Sequence, residues 1–364
     1  MKVATDFQIF GVQQYGGISK YHMRLAEELS KSSVDCRIFA PFHKNEYLKN
    51  DTNDLVSGFF TPRLLNLSPS LVKIFNQIIS QSVIPLWHPD VLHMSYYPTI
   101  DLKGSAQKVI TVHDMIHEKF PNYFPNGRRL STLKRKAIGL ADHIITISEN
   151  TKKDLMDIFG TSAEKISVVY HGYDDIESRK PDFVINQPFI LFVGNRSGYK
   201  NFDLLIEAVS QSTLLKDFFV LAFGGRPFSR PEMEIIKAKG LDKRVFQLGG
   251  NDEVLSHLYQ KAESFVYPSE YEGFGIPLLE SMSKSCPVIA SDSSCFPEIG
   301  GNACEYFEKN NIDSLMVSLE KVCLDSEFKK SLVMKGTQRV NNFSWAKCAM
   351  ETKLVYESLN SKHQ

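Results

Sequence analysis

Nowhere does the sequence hold about 18 consecutive apolar residues, the length a helix needs to cross a bilayer. Its greasiest stretch, residues 71–87, is broken by Lys73, Asn76, Gln77 and Gln81, so no transmembrane helix is expected. The opening MKVATDFQIF has one lysine and an apolar alternation interrupted by Asp6, where a secretory leader would carry an unbroken apolar core; no signal peptide is expected. Net charge is absent as well. Lys plus Arg number 42 and Asp plus Glu 42, which excludes a global pull toward nucleic acid or an acidic membrane and leaves only local patches. Cysteine is sparse: Cys36, Cys286, Cys295, Cys304, Cys323 and Cys348 form no C-x-x-C pair and read as reduced packing residues of a cytoplasmic protein. The dinucleotide fingerprint G-x-G-x-x-G is missing, so a nicotinamide or flavin reading has no support. No Asp-x-Asp clamp follows a buried strand, and Asp174-Asp175 reads as a loop pair.

What is present is ordinary for a globular protein, with 43 % apolar and 23 % charged residues, and 364 residues favour two domains. Strand-length apolar runs alternate with helical periodicity, the pattern of parallel sheets with crossover helices, so the class is α/β. Strands are predicted at 3–6, 36–40, 91–95, 108–112, 143–147 and 166–170, then at 189–193, 218–223, 244–248, 264–267 and 287–290. The clearest helix follows Gly16-Gly17, because Ile18, Tyr21, Leu25, Ala26 and Leu29 share one face. Further helices are predicted at 201–212, 231–239 and 252–262. The polar, proline-flanked stretch 177–188 precedes a fresh buried strand and is the predicted boundary, giving domains 1–180 and 181–343 and a terminal segment 344–364. In that segment a helix could bury Trp345, Ala349, Leu354 and Val355, and it is expected to return to the first domain.

Ligands of open parallel sheets bind beyond the carboxyl ends of the strands. There the sequence places Pro268-Ser-Glu-Tyr-Glu-Gly-Phe-Gly-Ile-Pro-Leu-Leu-Glu280, a strand, a loop and a helix. Gly273 and Gly275 allow close backbone approach, and Pro277 suits the first turn of a helix whose free N–H groups favour phosphate. Glu272 and Glu280 can accept hydrogen bonds from the hydroxyls of a sugar and a ribose; singly, each would be an ordinary exposed carboxylate. Arg196 and Lys200 put positive charge just before a helix N-terminus, the wrong sign unless an anion binds there. His113 ends the apolar run 108–112 at a carboxyl edge. Its partner four residues on, His117, suggests a helical metal pair, but the spacing requires a helix where a strand ends, and Asp114 stands where a zincin has Glu. Arg128-Arg129 with Lys134-Arg135-Lys136 forms a basic cluster near 71–84; it reads first as a solvated helix face and second as a contact for anionic lipid or a lipid-linked diphosphate.

The segment Glu272-Gly-Phe-Gly-Ile-Pro-Leu-Leu-Glu280 resembles the donor-site signature of the family 4 retaining glycosyltransferases. The resemblance continues through Cys286-Pro-Val-Ile-Ala-Ser291, Phe296-Pro-Glu-Ile-Gly300, Phe192-Val-Gly-Asn-Arg-Ser-Gly-Tyr-Lys-Asn-Phe202, Thr111-Val-His-Asp114, Ala141-Asp-His-Ile-Ile-Thr-Ile-Ser148 and Phe343-Ser-Trp345. It implies the GT-B fold, two Rossmann-like domains whose parallel sheets face each other across a cleft. It also implies that Glu272 contacts the donor sugar, Glu280 the ribose and Lys200 the diphosphate, with Arg196 as second cation. The amides near Phe274, Gly275 and Ile276 would bond the sugar, those at Gly16 and Gly17 would approach the phosphate, and His113 would lie beside the reacting sugar. No metal and no cofactor beyond a nucleoside-diphosphate sugar are implied. Whether transfer proceeds by front-face attack or through a covalent intermediate stays open.

The motifs lean toward transferases of bacterial surface polysaccharides such as O-antigen or capsule, with mannose as donor sugar and a glycan or glycolipid acceptor. The expected location is cytoplasmic, with peripheral contact at the inner face of a membrane, and no nucleic acid partner is expected. A GT-B sugar-nucleotide epimerase and a catalytically silent sugar-nucleotide-binding module are the alternatives.

Overall fold

A computed structural model describes the chain except residues 99, 182–184, 197 and 361–364. Ser197 of the lysine-bearing motif, part of the predicted linker and the last residues of the terminal segment therefore lie outside the described residues. The chain divides into two compact units, one of Met1–Gly172 with Ser344–Gln364, the other of Tyr173–Phe343. That division falls at 172/173, ahead of the expected 180/181.

The first unit is built on a seven-stranded parallel sheet. Its strands are β1 (Lys2–Thr5), β2 (Asp35–His43), β3 (Val56–Phe60), β4 (Val91–Met94), β5 (Gln107–Val112), β6 (His143–Thr146) and β7 (Ile166–Val168), in the order β3-β2-β1-β4-β5-β6-β7. Central residues such as Val109, Ile110, Ile144 and Ile145 are fully buried, which is why the middles of these strands read as short apolar runs. Strand β3 escapes sequence reading because its VSGFF is neither alternating nor buried. Its Gly58 is dictated by β2: the ladder shifts register between Ala40 and Phe42, and a Cβ on Gly58 would stand 1.7 Å from the Ala40 carbonyl oxygen.

Helix Gly17–Lys31 buries Tyr21, Leu25, Ala26 and Leu29 as the periodicity predicts. The terminal helix Trp345–Asn360 packs on it through Trp345, Cys348, Ala349, Val355 and Tyr356. Leu354, expected in that face, is 59 % exposed, because the buried stripe steps through 345, 348, 352, 355 and 359 and leaves 354 on the other side. The basic cluster also needs correction. Arg128, Arg129, Arg135 and Lys136 on helix Gly127–Leu140 are exposed, but Lys134 is completely buried and spans from Glu118 to the Asp114 carbonyl.

The second unit carries six parallel strands, β8 (Phe189–Val193), β9 (Phe219–Phe223), β10 (Val245–Leu248), β11 (Ser264–Tyr267), β12 (Val288–Ser291) and β13 (Cys304–Phe307), in the order β10-β9-β8-β11-β12-β13. The short edge strand β13 was not predictable as a buried run, since Glu305 and Tyr306 are only half-buried. Helices Phe202–Gln211, Arg230–Ala238 and Asp252–Lys261 match expectation within a residue or so. All six cysteines are free and buried. In each sheet the order reverses once, at β1/β4 and at β8/β11, and loops leaving such neighbours diverge to open a crevice.

Candidate functional site

The loops after β8 and β11 bring Lys200 and Glu272 together, 72 positions apart in sequence. Lys200 ends the short turn Gly198–Lys200, and its ammonium pairs with the Glu272 carboxylate. Both side chains are mostly shielded, 17 % and 14 % exposed. The ammonium also lies 5.3 Å from the Tyr199 ring and 5.6 Å from that of Tyr267, at the end of β11. Burial, and then the Glu272 charge and hydrogen bond, push the Tyr267 phenol well above its ordinary pKa, so it serves Glu272 only as a donor.

The main chain around Glu272 is fixed independently of its carboxylate. Its amide donates to Ser294 Oγ at 3.2 Å, Ser294 Oγ donates back to its carbonyl at 2.6 Å, and Cys295 Sγ reaches the same carbonyl at 3.3 Å. The Glu270 amide donates to the Tyr199 carbonyl at 2.7 Å, tying the two switch-point loops. Ser294 was not singled out in sequence; the serine-rich run 291–294 directly after the buried strand β12 was the available signal.

The helix Ile276–Ser283 begins at Gly275, with φ 94°. Only glycine adopts that conformation without strain, and an added Cβ would meet Leu278 at 3.2 Å and Phe296 at 3.4 Å. Phe274 and Gly275 are buried while Gly273 and Ile276 are half-buried, so the turn stands on a packed base. Glu280, further along the helix, lines a separate small pocket with Asp174, Asp252, Tyr259 and Lys284. Arg196 is drawn away from Lys200. Its guanidinium bonds Glu232 at 2.8 Å and the carbonyls of Gly224 and Arg226 at 3.3 and 2.5 Å, and it stacks over Phe228.

In the first unit, His113 follows β5 and is 9 % exposed. It packs among His171 and Tyr21, with ring centroids 5.4 and 5.1 Å away, and His22 at 6.4 Å. Burial lowers the His113 pKa to about 4 and that of His93 to about 3, so both rings are neutral near pH 7. His93 bridges Tyr356 and Thr111 at 2.7 and 2.9 Å, and Thr111 meets Tyr21 at 3.0 Å, which locks the terminal helix to β4, β5 and helix Gly17–Lys31. His117 lies in the four-residue helix Ile116–Lys119 and His113 outside it, so the two are not one helical pair. Among the described residues no three His, Cys, Asp or Glu side chains converge as a metal cage requires. Gly16 precedes helix Gly17–Lys31, where Gln13 Oε1 accepts from the Ser19 amide at 3.1 Å, and a Cβ on Gly17 would meet open space.

Two family models cover nearly all of this: "Glycosyltransferase Family 4" matches residues 15–176 and "Glycosyl transferases group 1" residues 174–339. The chain is 25 % identical to the O-antigen chain mannosyltransferase RfbU of Salmonella typhimurium, over 86 % of this chain and 87 % of that one. It is 26 % identical to O-antigen chain mannosyltransferase B of Escherichia coli, over 69 % and 70 %. The crystal structure of HepE from Anabaena, in complex with UDP and glucose, superposes with a TM-score of 0.75 at 16 % identity over 98 % of this chain and 100 % of that one. That likeness carries the fold, the pair of Rossmann-like α/β units of the GT-B class.

Proposed function

The chain belongs to glycosyltransferase family 4, and from that premise we propose that it is a retaining, metal-independent hexosyltransferase. It moves mannose from a nucleoside-diphosphate sugar to a glycan or lipid-linked oligosaccharide in surface polysaccharide synthesis. One observation carries the donor reading: the Lys200–Glu272 pair at the β8/β11 switch point, beside a left-handed glycine that opens a helix. A cation and a carboxylate held side by side offer the diphosphate its counter-charge and the sugar hydroxyls their acceptor. The amides of Gly273, Phe274, Gly275 and Ile276 supply donors where negative charge grows on the leaving group. Glu280 is assigned to the ribose, Arg196 to support of the diphosphate loop, and the Gly16-Gly17 turn to a phosphate oxygen. His113, neutral, is assigned a hydrogen bond to the reacting sugar. The choice of mannose leans on the names of the two O-antigen relatives.

Thermal unfolding with UDP, GDP and ADP tests the donor seat. One nucleotide should raise the midpoint in the intact protein, and Lys200→Ala should weaken its binding roughly ten- to hundredfold, the worth of about 1.5–3 kcal/mol for a hydrogen bond to a charged group. Equal affinity in a folded Lys200→Ala protein would remove Lys200 from the site.

Peripheral membrane contact is supported by one outer face. Leu67, Leu71, Ile74, Phe75, Ile78 and Leu86, along helices Pro62–Leu67 and Pro69–Leu86, are each more than half exposed. Such an apolar stripe suits the headgroup boundary of a lipid surface. No helix among the described residues is long and apolar enough to cross a membrane. The protein should co-sediment with anionic vesicles, and Ile74→Glu with Ile78→Glu should leave it in the supernatant; identical partition of both would end this reading.

A further inference from the structure

The turn that leaves β12 holds a conformational outlier beside the site. Ser294 has φ 57°, in the left-handed region, although it carries a Cβ. A residue other than glycine is uncommon there and stays only where surrounding contacts hold it. Here the contact is Glu272. The one Ser294 hydroxyl accepts from the Glu272 amide at 3.2 Å and donates to the Glu272 carbonyl at 2.6 Å, so a single side chain takes both main-chain polar groups of that residue. Two neighbours act on the residues just before it: Ser291 Oγ donates to the Ser269 carbonyl at 2.6 Å, and Ser293 Oγ to the Glu270 carbonyl at 3.2 Å. Ser269 and Ser291 are fully buried, and Cys295 closes the row as a second donor to the Glu272 carbonyl. The pairing of β11 with β12, from Phe265 against Val288 to Tyr267 against Ala290, brings the two loops side by side. Past Tyr267 the ladder ends, and hydroxyls rather than strand pairing carry the loop that bears Glu272.

A loop held by side-chain hydroxyls over half-buried main chain can lose one of them without unfolding, because water takes the freed groups. What it loses is placement. A reacting group displaced by about 1 Å can cost on the order of 10²-fold in rate, and the amide and carbonyl of Glu272 are both held by one oxygen. We propose that Ser294 is a positioning residue of the donor site, its hydroxyl fixing the main chain of Glu272 so that the carboxylate meets both Lys200 and the donor sugar. This role rests on the reading of Glu272 as the donor-sugar carboxylate. Lys200 is carried by its own turn, Gly198–Lys200, whose Tyr199 carbonyl accepts from the Glu270 amide, so the diphosphate seat should outlast the loss of the hydroxyl.

Ser294→Gly deletes the hydroxyl and accepts the left-handed backbone without strain, so the variant isolates the contact. Turnover is read as nucleoside diphosphate released from the mannose ester of whichever of UDP, GDP and ADP stabilises the protein, with octyl mannoside as acceptor. The kcat should fall roughly 10- to 100-fold with donor KM little changed. The nucleoside diphosphate alone should raise the unfolding midpoint as much as in the parent, which also certifies the fold. In a Glu272→Gln background the same substitution should cost less than about threefold, because a hydroxyl that acts through the carboxylate then has little left to place. More than half the parent kcat in Ser294→Gly overturns the proposal. So does an undiminished loss in the Glu272→Gln background or a lost nucleotide shift, either of which marks general structural support. Hydrogen exchange reads the contact without any substrate: the Glu272 amide should exchange roughly fivefold faster or more in Ser294→Gly, and equal rates overturn the role by themselves. Full kcat in Glu272→Gln sinks the reading of Glu272 instead.

Discussion

Glu272→Gln should reduce transfer by roughly 10²- to 10³-fold in kcat, the scale of deleting one preorganised polar contact to a developing charge, while the protein stays folded. The substitution preserves the shape of the side chain and its hydrogen bond to Lys200. The loop itself is pinned through the backbone by Ser294 and Cys295, not through the carboxylate. What disappears is negative charge beside the sugar as positive charge builds at its anomeric carbon, an interaction stronger in the transition state than in the ground state. The loss should therefore fall on kcat, with donor KM little changed. Assay of the products discriminates the other family activities as well. Nucleoside diphosphate released only with acceptor marks a transferase, an altered sugar nucleotide without acceptor marks an epimerase, and neither marks a binding module. A folded Glu272→Gln enzyme retaining more than a tenth of its kcat would remove the carboxylate from the chemistry.

The largest stability effect is expected far from that site, at Lys134→Ala. The Lys134 ammonium is wholly buried and hydrogen-bonds Glu118 Oε2 at 2.7 Å and the Asp114 carbonyl at 2.9 Å, with Glu118 itself only 4 % exposed. Removing the cation leaves a desolvated carboxylate with no counter-charge, which costs about 3–5 kcal/mol for buried pairs of this kind. Replacing both partners by neutral groups of similar size, as in Lys134→Met with Glu118→Gln, removes the stranded charge and should recover most of the loss. Urea unfolding of the two variants reads this directly. A single variant within about 0.5 kcal/mol of the parent, the range of an ordinary surface substitution, would show that the pair contributes nothing. The same experiment separates Lys134 from its exposed neighbour Arg135, which bonds the Ile158 carbonyl at 3.3 Å and lies over the Phe159 ring, and whose removal should cost about 1 kcal/mol or less.

The sequence by itself determined the parts that depend on local pattern. Runs such as residues 189–192 and 288–290 are buried on both faces and so are apolar throughout, which makes parallel strands legible one by one. The glycine at 275, required by a left-handed φ, was legible for the same reason: the turn into its helix is written in a few adjacent positions. The edge strands β3 and β13 were not legible, because an edge strand needs neither full burial nor alternation and is made a strand by the neighbour it pairs with.

Only the tertiary structure decided which residues of like appearance do unlike things. Arg196 and Lys200, four apart, look equivalent in sequence, yet Glu232 and two carbonyls claim the first, and the second reaches Glu272. Lys134 looks like one more member of a basic run and is the one that lies inside. The physical reason is common to both. A charge takes its role from the partner and the dielectric around it, and those are set by which segments the sheet order brings together, not by neighbours along the chain.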